Sequence, residues 1–122
     1  MHYLLLSANQ NNPDSQYFLG SIYLNGVYAS RDMHKAIHYL SLSADQNNKD
    51  AQFILGFIYL KGAYISRDIN KAIHYLSLSA DQNHSNAQYY LGITYLNGEY
   101  TSQDIKKGIH YLSLSADQKN LD

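Results

Sequence analysis

Three histidines recur at a constant spacing, and histidine is a common ligand of transition metals. His38, His74 and His110 follow one another at intervals of 36 residues. A shared metal ion needs each ligand nitrogen at about 2.0–2.1 Å, whereas equivalent helices of successive repeats lie at least about 8–10 Å apart. Only His34 and His38 have the i, i+4 spacing of a ligand pair on one helix. We therefore predict histidines that face water, and no metal site.

Other side chains with catalytic potential recur without forming a catalytic set. Four serines and three aspartates repeat in this way: Ser41, Ser43, Ser77 and Ser79, and Asp32, Asp68 and Asp104. None of these serines has the sequence context of a nucleophile elbow. Acid–base catalysis needs two carboxylates that converge in a cleft, but these aspartates are separated by whole repeats and suit the starts of helices. We predict that the chain is not an enzyme and needs no cofactor.

The composition narrows the classes of partner. The 122-residue chain has a formal net charge of -1 and contains no cysteine. The chain lacks the excess of basic residues that would favour binding to nucleic acid or to an anionic membrane. The lack of cysteine excludes disulfides and thiolate metal sites. The opening segment MHYLLLSANQ has too short an apolar run for a signal peptide or a membrane span. We therefore expect a cytoplasmic protein of one domain.

The spacing of the histidines belongs to a repeat that covers the chain. Equivalent residues at intervals of 36 include Gly20, Gly56 and Gly92, then Gly26, Gly62 and Gly98, and then Ala44, Ala80 and Ala116. A fixed period of this length is typical of solenoids, in which each unit buries its apolar face against its neighbours. We expect one all-α array over 1–122, with units at about 13–48, 49–84 and 85–120. Residues 1–12 are expected to be the end of a preceding, truncated unit.

Each unit is predicted to contain two antiparallel helices joined by short loops. In the middle unit the first helix covers roughly 49–61, with Asn48 as its N-cap and Gly62 as its left-handed stop. The second helix covers roughly 67–82, with Ser66 as its N-cap. The buried stripe of this second helix is expected to be Ile69, Ala72, Ile73, Leu76 and Ala80.

Gly56 lies inside the predicted first helix, where glycine costs about 1 kcal/mol relative to alanine. We expect close approach of the partner helix to compensate, since a position without a side chain lets two helices pack against each other's backbones. Ala72 is small for the same reason. In the third unit Gly108 replaces this alanine and is expected to loosen its helix.

The repeated residues resemble those of the Sel-1-like repeat, a relative of the tetratricopeptide repeat. The pattern in the middle unit is Ala51, Leu55, Gly56, Tyr59, Gly62, Asp68, Lys71, Ala72 and Ala80. The first unit departs from it at Ser15 and the third at Gly108. The family usually has a second glycine two residues after Gly62, but Tyr28, Tyr64 and Tyr100 occupy that place here.

The resemblance implies a right-handed α-α superhelix whose concave face holds other proteins or peptides. Members of the family act as adaptors and scaffolds, and the resemblance does not suggest catalysis. The alternative function is a regulatory repeat segment of a larger signalling protein, such as a kinase. Neither end of the chain has an evident polar capping helix, so self-association through the ends is a further expectation.

By analogy with tetratricopeptide arrays, one side of each first helix lines the concave face. The predicted partner-binding residues are Tyr17, Leu24, Asn25, Phe53, Phe57, Leu60, Lys61, Tyr89, Ile93, Leu96 and Asn97. Aromatic rings next to adaptable amides suit peptide capture, and Asn25, Lys61 and Asn97 could bind backbone amides or a carboxylate. The alternative interpretation is that the rings pack one first helix against the next, and both roles can hold at once.

Overall fold

The computed structural model describes residues 2–26, 28–98 and 103–121. Within these residues the chain forms seven helices and no strand. The helices are α1 (His2–Asn9), α2 (Pro13–Asn25), α3 (Met33–Asp45), α4 (Lys49–Lys61), α5 (Ile69–Asp81), α6 (Ser85–Asn97) and α7 (Ile105–Leu121). The pairs α2–α3, α4–α5 and α6–α7 each pack internally, and consecutive pairs pack against each other. The all-α solenoid expected from the repeat is confirmed, while Tyr100 lies outside the described residues.

The ends of α4 follow from local hydrogen bonding. The Asn48 side chain accepts a hydrogen bond from the backbone N–H of Ala51 at 2.9 Å, which satisfies one of the unpaired donors of the first turn. At the other end Gly62 has a φ of 64°, and its N–H donates to the carbonyl oxygen of Ile58. Glycine adopts this left-handed conformation without a steric penalty. The predictions for Asn48 and Gly62 are therefore confirmed.

The predicted start of the second helix is wrong by two residues. Asp68, and not Ser66, is the N-cap of α5, because its carboxylate accepts from the backbone N–H of Lys71 at 3.1 Å. The reason lies in the loop, which returns to α4 when the Asp68 N–H donates to the Tyr59 carbonyl oxygen at 3.1 Å. This tertiary hydrogen bond fixes where α5 can begin. Because Ser and Asp are both favoured at N-cap positions, the sequence alone cannot choose between Ser66 and Asp68.

Close approach of the two helices in a unit explains the internal glycine. A Cβ atom added at Gly56 would lie 2.7 Å from the Cγ of Leu76 and 3.0 Å from its backbone nitrogen. The expected packing of α5 against the backbone of α4 is therefore confirmed. At Gly108 the Cγ of Leu96 would lie 2.5 Å from such a Cβ, so Leu96 fills the space that the missing methyl group leaves.

The apolar core runs across the boundaries between units. Leu76 of α5 and Leu91 of α6 are fully buried in one cluster, and Leu40 of α3 and Leu55 of α4 are fully buried in another. Each pair of helices thus covers apolar surface of the next, as expected for stacked repeats. Among the described helices, none combines the length and the apolar character needed to cross a membrane.

A buried glutamine in each first helix joins its unit to the preceding one. The Gln52 side chain donates to the Ala44 carbonyl oxygen at 3.1 Å and accepts from the Gln82 side chain at 2.8 Å. Gln16 and Gln88 make the equivalent bonds, and all three glutamines in α2, α4 and α6 are only 1% exposed. Because a buried amide must keep its partners, this network fixes how the units stack.

Candidate functional site

Three hollows adjoin one another on the surface formed by α2, α4 and α6. Their volumes are about 360, 420 and 240 Å³. We call the joined hollows the first-helix groove, defined by the six residues that line more than one hollow: Leu24, Phe57, Ile58, Lys61, Tyr89 and Tyr90. Concave, largely apolar surfaces with a few polar groups are the usual form of binding sites.

Most of the residues predicted for the concave face lie in this groove. All of them except Tyr17 and Leu96 line at least one of the three hollows. Tyr17 instead packs against the core cluster of Leu40 and Leu55. Leu96 turns into its own unit, where it fills the space beside Gly108. The sequence pattern identifies the helix face but does not reveal how each side chain turns.

Aromatic rings of α4 and α6 form a continuous cluster across the groove. The ring centroids of Phe53 and Phe57 are 5.9 Å apart, and those of Phe57 and Tyr90 are 5.2 Å apart in an edge-to-face arrangement. Phe53 and Tyr90 also pack against the core cluster below them. The rings therefore pack one first helix against the next, as the alternative interpretation expected, and they also line the groove.

Cationic side chains line the groove where α2 and α4 end. The Nζ atom of Lys61 lies 5.4 Å from the ring centroid of Phe57 and 5.7 Å from that of Tyr90. Arg31 and Arg67 also line the hollows. No Asp or Glu is among the described residues that line the three hollows. The three cationic side chains give the hollows a positive local charge, since both Lys and Arg are protonated at neutral pH.

His84 closes one side of the aromatic cluster. Its ring stacks on Phe53 with the centroids 4.7 Å apart. Its Nδ1 accepts from the Ala87 backbone N–H at 3.2 Å, and its Nε2 lies 3.3 Å from a carboxylate oxygen of Asp50. Because Nδ1 accepts, the neutral ring carries its proton on Nε2 and donates it to Asp50. Burial lowers the pKa of His84, with the Asp50 carboxylate opposing this shift and Lys49 adding to it.

Sequence reasoning missed His84, Tyr90 and the two arginines of the groove. A signal for His84 was present, because the equivalent positions 12 and 48 are asparagines that cap α2 and α4. Tyr90 is equivalent to Phe18 of the first unit and to Ile54 of the second, so an aromatic ring at this position does not recur in every unit. Arg31 and Arg67 lie in loops, where no helical period indicates which face they join.

The recurring residues that suggested chemistry have structural surroundings instead. His38, His74 and His110 are exposed, and each contacts the ring of the next tyrosine edge-on. Ser79 is fully buried and donates to the Lys49 carbonyl oxygen at 2.8 Å. It therefore has a specific hydrogen bond, beyond the simple need for a small residue. In the ranges that the structure describes, no three His, Cys, Asp or Glu residues cluster closely enough to bind a metal ion.

The aspartates predicted to start helices do so. The side chains of Asp32, Asp68 and Asp104 each accept a hydrogen bond from the backbone N–H three residues later, at 3.0–3.1 Å. Their carboxylates are thus occupied at the starts of α3, α5 and α7, and they lie one unit apart. This arrangement leaves them in N-cap roles and does not bring two carboxylates together.

Comparison with known families supports the repeat found in the sequence. The Sel1 repeat model matches three successive segments, residues 13–48, 49–84 and 85–120. Comparison with curated proteins gives no match.

Solved structures resemble the chain over nearly its whole length. A protective antigen of uropathogenic Escherichia coli with an SLR fold has a TM-score of 0.89 and 30% identity, over 96% of this chain and 25% of its own. A Sel1 repeat protein from Oxalobacter formigenes has a TM-score of 0.87 and 26% identity, over 96% of this chain and 48% of its own. Helicobacter pylori cysteine rich protein B has a TM-score of 0.70 and 21% identity, over 93% of this chain and 86% of its own, and shows the fold alone.

The chain thus spans a quarter and about half of the first two of these proteins. Their shared architecture, the seven helices of the described residues and three successive matches to one repeat model agree with one another. The chain belongs to the Sel1 repeat family.

Proposed function

We propose that the first-helix groove binds an extended peptide segment of a partner protein, so that the chain acts as an interaction scaffold. Sel1 repeats are generally protein–protein interaction modules, and the proteins that contain them are generally non-catalytic scaffolds. The observation that carries the proposal for this chain is the aromatic cluster of Phe53, Phe57 and Tyr90, with the Lys61 ammonium above it. Aromatic side chains at the centre of a groove are typical anchors of binding energy.

The dimensions of the groove suit an extended peptide. Neighbouring first helices pack about 10 Å apart, so a ligand that crosses α2, α4 and α6 must span about 20 Å. An extended chain rises about 3.3 Å per residue, and roughly six residues therefore cover the distance. Asn25, Asn86 and Asn97 are exposed and line the hollows. Their side-chain amides can both donate to and accept from a peptide backbone.

A double variant tests this proposal. Phe57→Ser introduces the residue that the first unit has at the equivalent Ser21, and Lys61→Ala removes the central ammonium. Phe57 is a better target than Phe53, because Phe53 also packs on the core and on His84. Proteins captured from the native cell extract by the unmodified chain are purified, and their affinities for the unmodified chain and for the double variant are measured by calorimetry. We expect the variant to bind at least about tenfold more weakly, the size of one lost hot-spot residue.

His74→Ala is the matched control, since His74 is exposed on a second helix. We expect it to bind like the unmodified chain, and both variants to keep their helical circular dichroism. A double variant that retains full affinity for the partner, or a control that loses it, would place the binding site elsewhere.

Three further proposals accompany this function. The alternative remains that the array is a regulatory segment of a larger signalling protein, such as a kinase, and the full-length transcript decides between the two. Self-association through the ends and a cytoplasmic location also remain proposals. Sedimentation velocity over a range of concentrations tests the first of these, and cell fractionation tests the second.

A further inference from the structure

We infer that the first-helix groove selects an acidic peptide, in which a carboxylate follows or precedes an apolar anchor and contacts the cations where α2 and α4 end. This inference rests on the proposed function of the groove as a peptide site. It adds the chemical class of the ligand and the residues that select it, Arg31, Lys61 and Arg67.

Charge is distributed unevenly between the groove and the rest of the chain. The whole chain has a formal net charge of -1, yet three cations and no described carboxylate line the three hollows. Lys61 lies between two hollows, and each of these also has an arginine at its edge. A cleft lined by one sign of charge attracts a ligand of the opposite sign and suppresses others.

The two arginines are held in place by the backbone. Arg31 Nε donates to the Leu24 carbonyl oxygen at 3.0 Å, and its guanidinium carbon lies 4.8 Å from the ring centroid of Tyr64. Arg67 Nε donates to the Leu60 carbonyl oxygen at 3.1 Å. A side chain that is already ordered loses less entropy when it binds a ligand, and guanidinium groups match the planar geometry of carboxylates.

Capping of the helix does not account for the positive charge. In the third unit Gln103 occupies the equivalent position, and its side chain donates to the Leu96 carbonyl oxygen at 3.0 Å. A neutral amide therefore makes the same hydrogen bond to the end of α6 that Arg31 makes to the end of α2. The charge is present only in the two units whose loops flank Lys61, which points to a role in binding.

Apolar surface lies next to these cations in the same hollows. One hollow combines Arg31 and Lys61 with Leu24 and Phe57, within a volume of about 240 Å³. The other, of about 360 Å³, combines Lys61 and Arg67 with apolar side chains that include Leu60 and Ile93. A ligand that fills both hollows therefore needs apolar side chains and a carboxylate near the central ammonium.

A pair of peptide libraries tests the inference. Random peptides of about twelve residues, long enough to exceed the groove, are displayed on phage with either a blocked or a free C-terminus. They are selected on the unmodified chain and on the triple variant Arg31→Gln, Lys61→Gln and Arg67→Gln. The two arginine replacements keep the cap that Gln103 shows, so thermal unfolding should remain cooperative. We expect Asp and Glu to be enriched only on the unmodified chain, and the triple variant to bind the selected peptides about tenfold or more weakly.

The outcomes separate the sources of the carboxylate and the possible failures. If peptides with acidic side chains are enriched in the blocked library, the carboxylate that binds belongs to a side chain. If binding peptides are enriched only in the library with free C-termini, the carboxylate is that of the peptide's C-terminus. Peptides that need Phe57 but show no acidic enrichment, or that bind the triple variant equally, would overturn the inference and leave the proposed function intact. If neither library yields a peptide whose binding depends on Phe57, the proposed function fails and the inference fails with it.

Discussion

At the scale of single residues, His84 couples a proton to the start of α6. Its Nδ1 can accept a hydrogen bond from the Ala87 N–H only when the ring is neutral. The face of the same ring stacks on Phe53 in the groove. Burial keeps its pKa below the ordinary value of 6.5. Well above pH 6.5 the ring is neutral in both the folded and the unfolded chain, and the contribution of the cap is complete. Below it the unfolded chain binds the proton first, so the free energy of unfolding falls until folded His84 is protonated as well.

The variant His84→Asn tests this coupling. Asparagine is the residue that caps α2 and α4 at the equivalent positions, and it does not titrate. Between about pH 8 and about pH 5, we expect the unmodified chain to lose more stability than the variant, because the lowered pKa of His84 makes protonation favour the unfolded chain. Denaturant unfolding at each pH measures the difference. The other five histidines are common to both chains, so parallel pH curves would contradict the role of His84.

At the scale of helices, most boundaries could be predicted because the signals are local. Asn48 and Gly62 act through their own conformations and near neighbours, and the sequence reveals both. The start of α5 could not be predicted, because a hydrogen bond from Asp68 back to Tyr59 of α4 fixes it. The buried Gln52 was missed for a similar reason, since its partners lie in two other segments of the chain.

The contact between α4 and α5 supports a prediction that reverses ordinary helix propensity. Gly56→Ala should stabilise an isolated helix by about 1 kcal/mol. In this chain the new methyl group meets Leu76 at 2.7 Å, so we expect destabilisation by about 1–3 kcal/mol from overpacking. Gly56→Leu should unfold the middle unit. Denaturant titration measures both, with Asn70→Ala on the exposed side of α5 as a control for propensity alone. A thermal midpoint unchanged by Gly56→Leu would contradict the close approach.

At the scale of the whole molecule, the 36-residue period was enough to predict stacked helical pairs, because no unit can bury its apolar face alone. The face of the first helices that lines the groove was predicted by analogy with tetratricopeptide arrays. It could not show the charge of the groove, since Arg31 and Arg67 reach it from loops. Nor could it distinguish Leu96, which turns towards Gly108, from the equivalent Leu24, which lines the groove.

The central claim is that the surface of α2, α4 and α6 is the binding surface, and nuclear magnetic resonance tests it most directly. A peptide selected from the random libraries is titrated into the isotope-labelled chain, and the chemical shift of each backbone amide is followed. We predict that the shifts concentrate in α2, α4 and α6 and in the loops 28–32 and 62–68, with the largest near Phe57 and Lys61. Shifts that concentrate in α3, α5 and α7 would contradict the account.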